Sequence, residues 1–192
     1  MAGLSDNCET KLREVWPELY DPDFPDNYEI VNITKESEPG NDCIALPFEY
    51  NDGGRLEAGF TGSNVRDCVA RSISIVSGVP YMDVYSALAD GNASQKATSR
   101  TPKRTKTAAK GIFTKRKWFQ DYMRSLGFVW VSTQSFNSKK RTYLRKGALP
   151  PGRLVVAVSK HYTAVIDGVI NDTHDCGRNG QRCVYGYWTK DS

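Results

Sequence analysis

Apolar positions recur along this chain at two spacings, and the change from one to the other separates a helical middle from a strand-rich end. Val65, Val69, Ile73 and Val76 lie on one helical face, and Gly78 and Pro80 close that run. Tyr81, Val84, Tyr85 and Leu88 repeat the spacing in a second short helix. Trp118, Tyr122 and Leu126 form the buried stripe predicted for a third, which stops at Gly127. After it, "VWVST", "RLVVAVS", "YTAVIDGVIND" and "CVYGYW" are β-branched and aromatic and read as strands. Ahead of the helices, the segment from Cys8 to Tyr20 has helical character and "YEIVNI" reads as a strand. "CIALPFEYNDGGRLEAGF" reads as two extended runs around the turn signal Asn51-Asp52-Gly53-Gly54. Helices first and an antiparallel sheet last predict an α+β fold with the helices packed on one face of the sheet.

A length of 192 residues with 39% hydrophobic content predicts one globular domain with a real core. No apolar stretch approaches the roughly 20 residues that span a bilayer, and the first twenty residues lack the basic-then-apolar order of a signal peptide. The expectation is a cytoplasmic protein with no membrane partner. The five cysteines, Cys8, Cys43, Cys68, Cys176 and Cys183, include no CxxC pair, so reduced thiols are expected rather than a zinc site or a disulfide framework. With only His161 and His174 as histidines, neither a metal nor a cofactor is expected.

Charge divides the chain. Residues 1–60 hold 14 acidic and 4 basic side chains, and residues 61–192 hold 8 acidic and 22 basic. The acidic part can pack across the basic remainder, or the basic remainder can meet an acidic partner. Nine of the basic residues fall between Gly91 and Lys117 with no acid among them, which predicts a mobile basic loop at about 91–117. The run from Lys96 to Lys117 can hold nucleic acid, but a solvated surface loop is preferred, because no aromatic side chain interrupts it before Phe113.

With Ser63 or Asn64 as its cap, the first predicted helix carries Cys68 in its first turn or just after, where free N–H groups and the macrodipole favour a thiolate. A thiolate needs a base, and His161 lies on a predicted strand. Asp167-Gly168 is a strong two-residue hairpin signal. With that turn, Ile166 pairs with Val169, Val165 with Ile170, Ala164 with Asn171 and Thr163 with Asp172. His161 then shares a face with Asp172 and lies diagonal to it, so Asp172 is the carboxylate to orient the imidazole. His174 would stand opposite His161. The plainer reading makes Cys68 a core residue and His161 a structural one; the chain order of all three is the more specific signal.

The segment "YNDGGRLEAGFTGSNVRDCVARSISIVSGVPYMDVYSAL", with "LPPGRLVVAVSKHYTAVIDGVINDTHDC" and "RCVYGYW", resembles small phage- and prophage-encoded proteins of the papain-like cysteine peptidase superfamily. The likeness spans Leu46 to Trp188, giving a papain-like domain over 46–192 behind an acidic extension over 1–45. It implies Cys68 as nucleophile, His161 as base and Asp172 as orienting residue. Such enzymes place a glutamine a few residues before the cysteine, where this chain has Asn64. Asn64 is therefore a candidate oxyanion donor, or else the helix N-cap, with Asp67 completing a capping-box-like pair. The resemblance implies cleavage of a peptide or isopeptide bond in a host or phage protein, in the host bacterial cytoplasm. The same triad serves deamidation or transglutamination. The alternative from another class is a non-catalytic papain-like phage protein that binds and inhibits a host protein or nucleic acid through the basic loop.

Overall fold

The computed structural model describes residues 44–62, 65–96, 106–134 and 141–190. The predicted helix from Cys8, the strand "YEIVNI", Cys8, Cys43, Ser63, Asn64 and most of the acidic extension lie outside the described residues, as do positions 97–105 of the basic run.

Three helices and seven strands are present among the described residues: β1 (Phe48–Tyr50), α1 (Cys68–Ser77), α2 (Tyr81–Ser94), α3 (Lys117–Ser125), β2 (Phe128–Ser132), β3 (Thr142–Tyr143), β4 (Arg153–Val158), β5 (His161–Ile166), β6 (Val169–Asp172) and β7 (Cys183–Lys190). The strands form one sheet in the order β1-β6-β5-β4-β7-β2, with β3 also paired to β7. The α+β class expected from the sequence holds. The sheet is not wholly antiparallel, because β1, from ahead of the helices, joins β6 in parallel with Tyr50 opposite Asp172. That pairing spans more than a hundred positions, and no local pattern announces it.

Two apolar layers flank the sheet. On one side α1, α2 and α3 bury Ile73, Val84, Leu88, Phe119 and Met123 against Val155, Ala164 and Trp188. On the other, Leu46, Leu144 and Cys176 cover Leu154, Val156, Val165 and Ile170. Alternation along β4 and β5 supplies both layers from the same strands, which is why these strands read as continuous Val, Leu and Ala.

Helix α1 is fixed at both ends. Gly78 ends it in the left-handed region (φ 74°), its N–H bonded to the Ser74 carbonyl at 2.9 Å. From β4, the Arg153 guanidinium donates to the carbonyls of Val76, at 2.8 Å, and Ile75, supplying partners for groups that a helix C-terminus leaves open. The helix begins at Cys68, with Asp67 at the N-cap position but making no side-chain capping bond. This corrects the capping-box expectation: the Asp67 carboxylate turns inward to other partners.

Other local expectations shift. The run after Gly54 is a series of turns rather than a second extended segment: Gly54 N–H and Leu56 N–H both donate to Asp52, at 3.1 and 2.9 Å, and this curls the chain onto α1. Gly53 is needed there, since a Cβ at its φ of 65° would stand 3.0 Å from the Arg71 carbonyl. On α3 the buried positions are Phe119 and Met123, and Trp118, Tyr122 and Leu126 are partly buried beside them. The face turns by one residue because Phe119 seats edge-on against Tyr162 and Trp188 of the sheet. At the start of the basic run, α2 continues to Ser94, and Gly91 sits so close to Trp118 that a Cβ would run into its ring. At its other end, Ala108 is fully buried and the Thr107 carbonyl accepts from Asn92 at 2.8 Å.

Candidate active site

The Asp167-Gly168 turn forms as expected, both residues at positive φ (48° and 80°), and pairs Ile166 with Val169, Val165 with Ile170 and Ala164 with Asn171. This register places His161 at the first position of β5 and Asp172 at the last of β6. Nε2 of His161 lies 2.7 Å from Oδ2 of Asp172. Both side chains are withdrawn from solvent, the imidazole 12% and the carboxylate 4% exposed.

The second carboxylate oxygen of Asp172 is held separately. Oδ1 accepts from Arg71 Nη1 at 2.9 Å and from the Thr173 N–H at 2.7 Å. Arg71 is on α1, one turn after Asp67, and its Nε donates to Asp67 Oδ1 at 3.2 Å. Asp67 Oδ2 accepts from the Tyr81 hydroxyl at 2.6 Å and pairs with Arg55 at 3.4 Å. The start of α1, the 51–59 turns, α2 and the end of β6 are thus joined through two buried carboxylates and two guanidiniums. Arg71, Tyr81 and Arg55 were not foreseen in the sequence. The (i, i+4) spacing of Asp67 and Arg71 was a signal for one of these contacts, although such pairs are usually surface features.

Cys68 is the first residue of α1, partly exposed and packed against the helix-side core. Cys176 is buried in the core on the opposite side of the sheet. Both thiols interact with His161, which therefore stands between the two layers at the end of the sheet. Since Asp172 takes Nε2, Nδ1 is the nitrogen left for the thiols. Burial works against the imidazolium, but the hydrogen bonds to Asp172, Cys176 and Cys68 and the charge of Cys68 outweigh it, pushing the His161 pKa up to about 11. Burial likewise works against the Asp172 carboxylate, and the hydrogen bond and charge of His161, the Arg71 charge and the Thr173 N–H together hold its pKa below the usual value. Burial, the hydrogen bond to Asp67 and its charge raise the Tyr81 hydroxyl well above its ordinary range. The His174 ring lies 5.1 Å from that of His161, tilted by 54°, because β6 ends at Asp172 and the following turn carries His174 alongside rather than into the ladder.

The structure brings together Cys68, His161 and Asp172. Asn64 lies outside the described residues, and Asp67 takes the N-cap position in its place. Cys176 is the thiol that sequence reasoning passed over; its place four residues beyond Asp172 was the available signal. His161, Asp172 and Cys176 present ligand-type atoms within 4.8 Å of one another. Both carboxylate oxygens are nevertheless committed to protein donors, one of them a guanidinium that opposes a divalent cation, so the donor set does not suit a metal.

A pocket of about 380 Å³ opens beside the imidazole, lined by Lys160, His161, His174, Asp175, Arg178 and Arg182 with Cys176 at its floor. A second cavity, of about 440 Å³, lies between the 53–58 turns and the α1–α2 connection and includes neither Cys68 nor His161. No helix among the described residues is long and apolar enough to cross a membrane. No family model, curated protein or solved structure matches the chain.

Proposed function

We propose that the protein is a papain-like cysteine hydrolase that cleaves a peptide or isopeptide bond through an acyl-enzyme on Cys68. The observation that carries this reading is the imidazole of His161, held by Asp172 at 2.7 Å and interacting with a thiol at the first position of a helix. Charge accounting supports it. Asp67, Asp172, Arg55 and Arg71 balance one another, so an imidazolium at His161 brings one unmatched positive charge, and the Cys68 thiolate is its natural counter-ion.

In the reaction, Nδ1 of His161 takes the Cys68 proton and the sulfur attacks the carbonyl carbon, forming a C–S bond while the carbonyl oxygen becomes an oxyanion. The backbone N–H of Cys68, one of the first-turn groups without an intrahelical acceptor, can donate to that oxyanion. Collapse breaks the C–N bond as the imidazolium protonates the leaving amine. Water then adds to the thioester with His161 as base, releasing the acid and restoring the thiol. Asp172 remains ionised throughout, fixing the ring tautomer with its proton on Nε2. Asn64 keeps its proposed place as a second oxyanion donor, and the substrate is a protein of the phage or its host.

The test is site-resolved alkylation. Iodoacetamide labelling from about pH 5 to 9, read at each cysteine by mass spectrometry, is expected to find Cys68 the fastest thiol, and His161→Ala to abolish that advantage. Labelling of Cys68 no faster than that of Cys183, with no response to His161→Ala, refutes the enzyme. Binding through the basic run would then be the surviving alternative, read as salt-sensitive capture that persists in Cys68→Ala.

A further inference from the structure

The 380 Å³ pocket beside His161 has an unusual charge balance. Lys160, Arg178 and Arg182 contribute three fixed cations, and Asp175 is the single carboxylate in the lining. Asp175 offsets one of them without pairing with any: its Oδ1 accepts the Gly177 N–H at 2.7 Å, and among the described residues none of the three cations pairs with a carboxylate within salt-bridge distance. Arg182 is tethered through the Ser159 carbonyl, which holds its guanidinium at the wall. Its Nε is buried without a partner. Burial and the nearby Arg178 charge lower the Arg182 pKa, and Cys176 and Tyr185 act against them without cancelling the shift. Lys160, in the turn between β4 and β5, and Arg178 both sit in the left-handed region, at φ 57° and 50°.

The position of the pocket relative to the reacting groups gives it a role. His161 lines it and Cys68 does not. In acyl transfer through a thiol, the acyl part stays on the sulfur and the departing part takes its proton from the imidazolium, so the departing part lies against the histidine. We infer that this pocket receives a carboxylate carried by the leaving-group side of the substrate, within about one residue of the scissile bond. The inference rests on the Cys68–His161 reading and adds the substrate class. Its volume is at the small end of ligand pockets, suited to one residue rather than an extended segment. Two sources carry this chemistry, the side chain of an internal Asp or Glu and the free carboxylate of a chain end.

The experiment compares iodoacetate with iodoacetamide at Cys68, in wild type and in Lys160→Glu/Arg178→Glu. Both positions are exposed, so the fold is expected to survive, and Arg182 is left alone because it braces Ser159. Charge reversal should lower the iodoacetate-to-iodoacetamide rate ratio by at least about five-fold while the iodoacetamide rate stays within about two-fold. An unchanged ratio with fast iodoacetamide labelling retained overturns the pocket and leaves the nucleophile standing. Slow labelling by both reagents in the wild type overturns the nucleophile, and the pocket proposal falls with it. A digest-derived peptide mixture then separates the sources: cuts ahead of internal Asp or Glu identify the side chain, removal of single C-terminal residues identifies the chain end, and cuts indifferent to both overturn the proposal.

Discussion

Replacing Asp172 by asparagine preserves shape and removes one buried charge, so its effect on stability can be worked from the contacts. The carboxylate accepts from His161 at 2.7 Å, Arg71 at 2.9 Å and the Thr173 N–H at 2.7 Å. An asparagine has one oxygen for these donors. If that oxygen stays with Arg71 and Thr173, its amide group faces Nε2 of His161; the reverse orientation would point two donors at two donors. Either way charge-assisted bonds are lost beside buried cations, and breaking a buried pair on one side costs about 3–5 kcal/mol. Asp67 still faces Arg71, which places the expected loss near ~3 kcal/mol.

The pH dependence gives this prediction its sharper form. Asp172 titrates below its ordinary 3.8 in the folded protein, so the unfolded chain takes up its proton first as pH falls. Its stabilisation is therefore complete above about pH 5 and is lost as pH drops through 3.8 toward the folded value, by up to ~1.4 kcal/mol per pH unit. His161 adds no slope in that window, because it is protonated in both states below about pH 5.5. Urea unfolding of wild type and Asp172→Asn at about pH 6, 4 and 3 measures the difference directly. A wild-type advantage that is absent at pH 6, or that stays constant down to pH 3, refutes the reasoning.

Further outcomes follow from the same contacts. With an amide rather than a carboxylate facing Nε2, the ring proton would move to Nδ1, so Asp172→Asn should slow iodoacetamide labelling of Cys68 at least ~10-fold near neutral pH, where mass spectrometry reads it; an unchanged rate would mean that the carboxylate does not set the tautomer. Arg71→Met leaves Asp67 and Asp172 sharing a buried site without their common cation, and a loss of about 3–5 kcal/mol is expected in urea, with Arg71→Lys recovering only part because one ammonium cannot span both carboxylates. Gly186→Ala drives a Cβ into the Trp130 ring and to 2.7 Å from the Val131 carbonyl, a clash on the β2–β7 ladder expected to cost about 1–3 kcal/mol and to be seen as a lowered melting temperature.

The part of the site that could be read in the sequence was the part set by local rules. A two-residue turn with Asp-Gly fixes a hairpin register, and period-two alternation then puts His161 and Asp172 on one face; both are short-range, and both hold. Helix α1 was legible from its apolar spacing, but its first residue was not, because Asp67 looks like half of a capping box and is instead claimed by Tyr81 and Arg55, whose proximity depends on the assembled fold. The parallel pairing of β1 with β6 escaped for the same reason. The one-residue error in the buried stripe of α3 arose because helical spacing fits Trp118, Tyr122 and Leu126 as well as Phe119 and Met123, and only the sheet decides which face it meets.

The double anchorage of α1 makes the helix a strut rather than a spring. Its ten residues span about 15 Å from Cys68 to the carbonyls gripped by Arg153, and neither end is free to slide along the axis. The position of the sulfur is thus referenced to β4 at the far end as well as to the carboxylates beside it. The placement of Cys68 has two independent supports, and a change at the remote one, around Arg153, is transmitted along the helix to that thiol. Residues around Arg153 therefore bear on the setting of Cys68 without touching it.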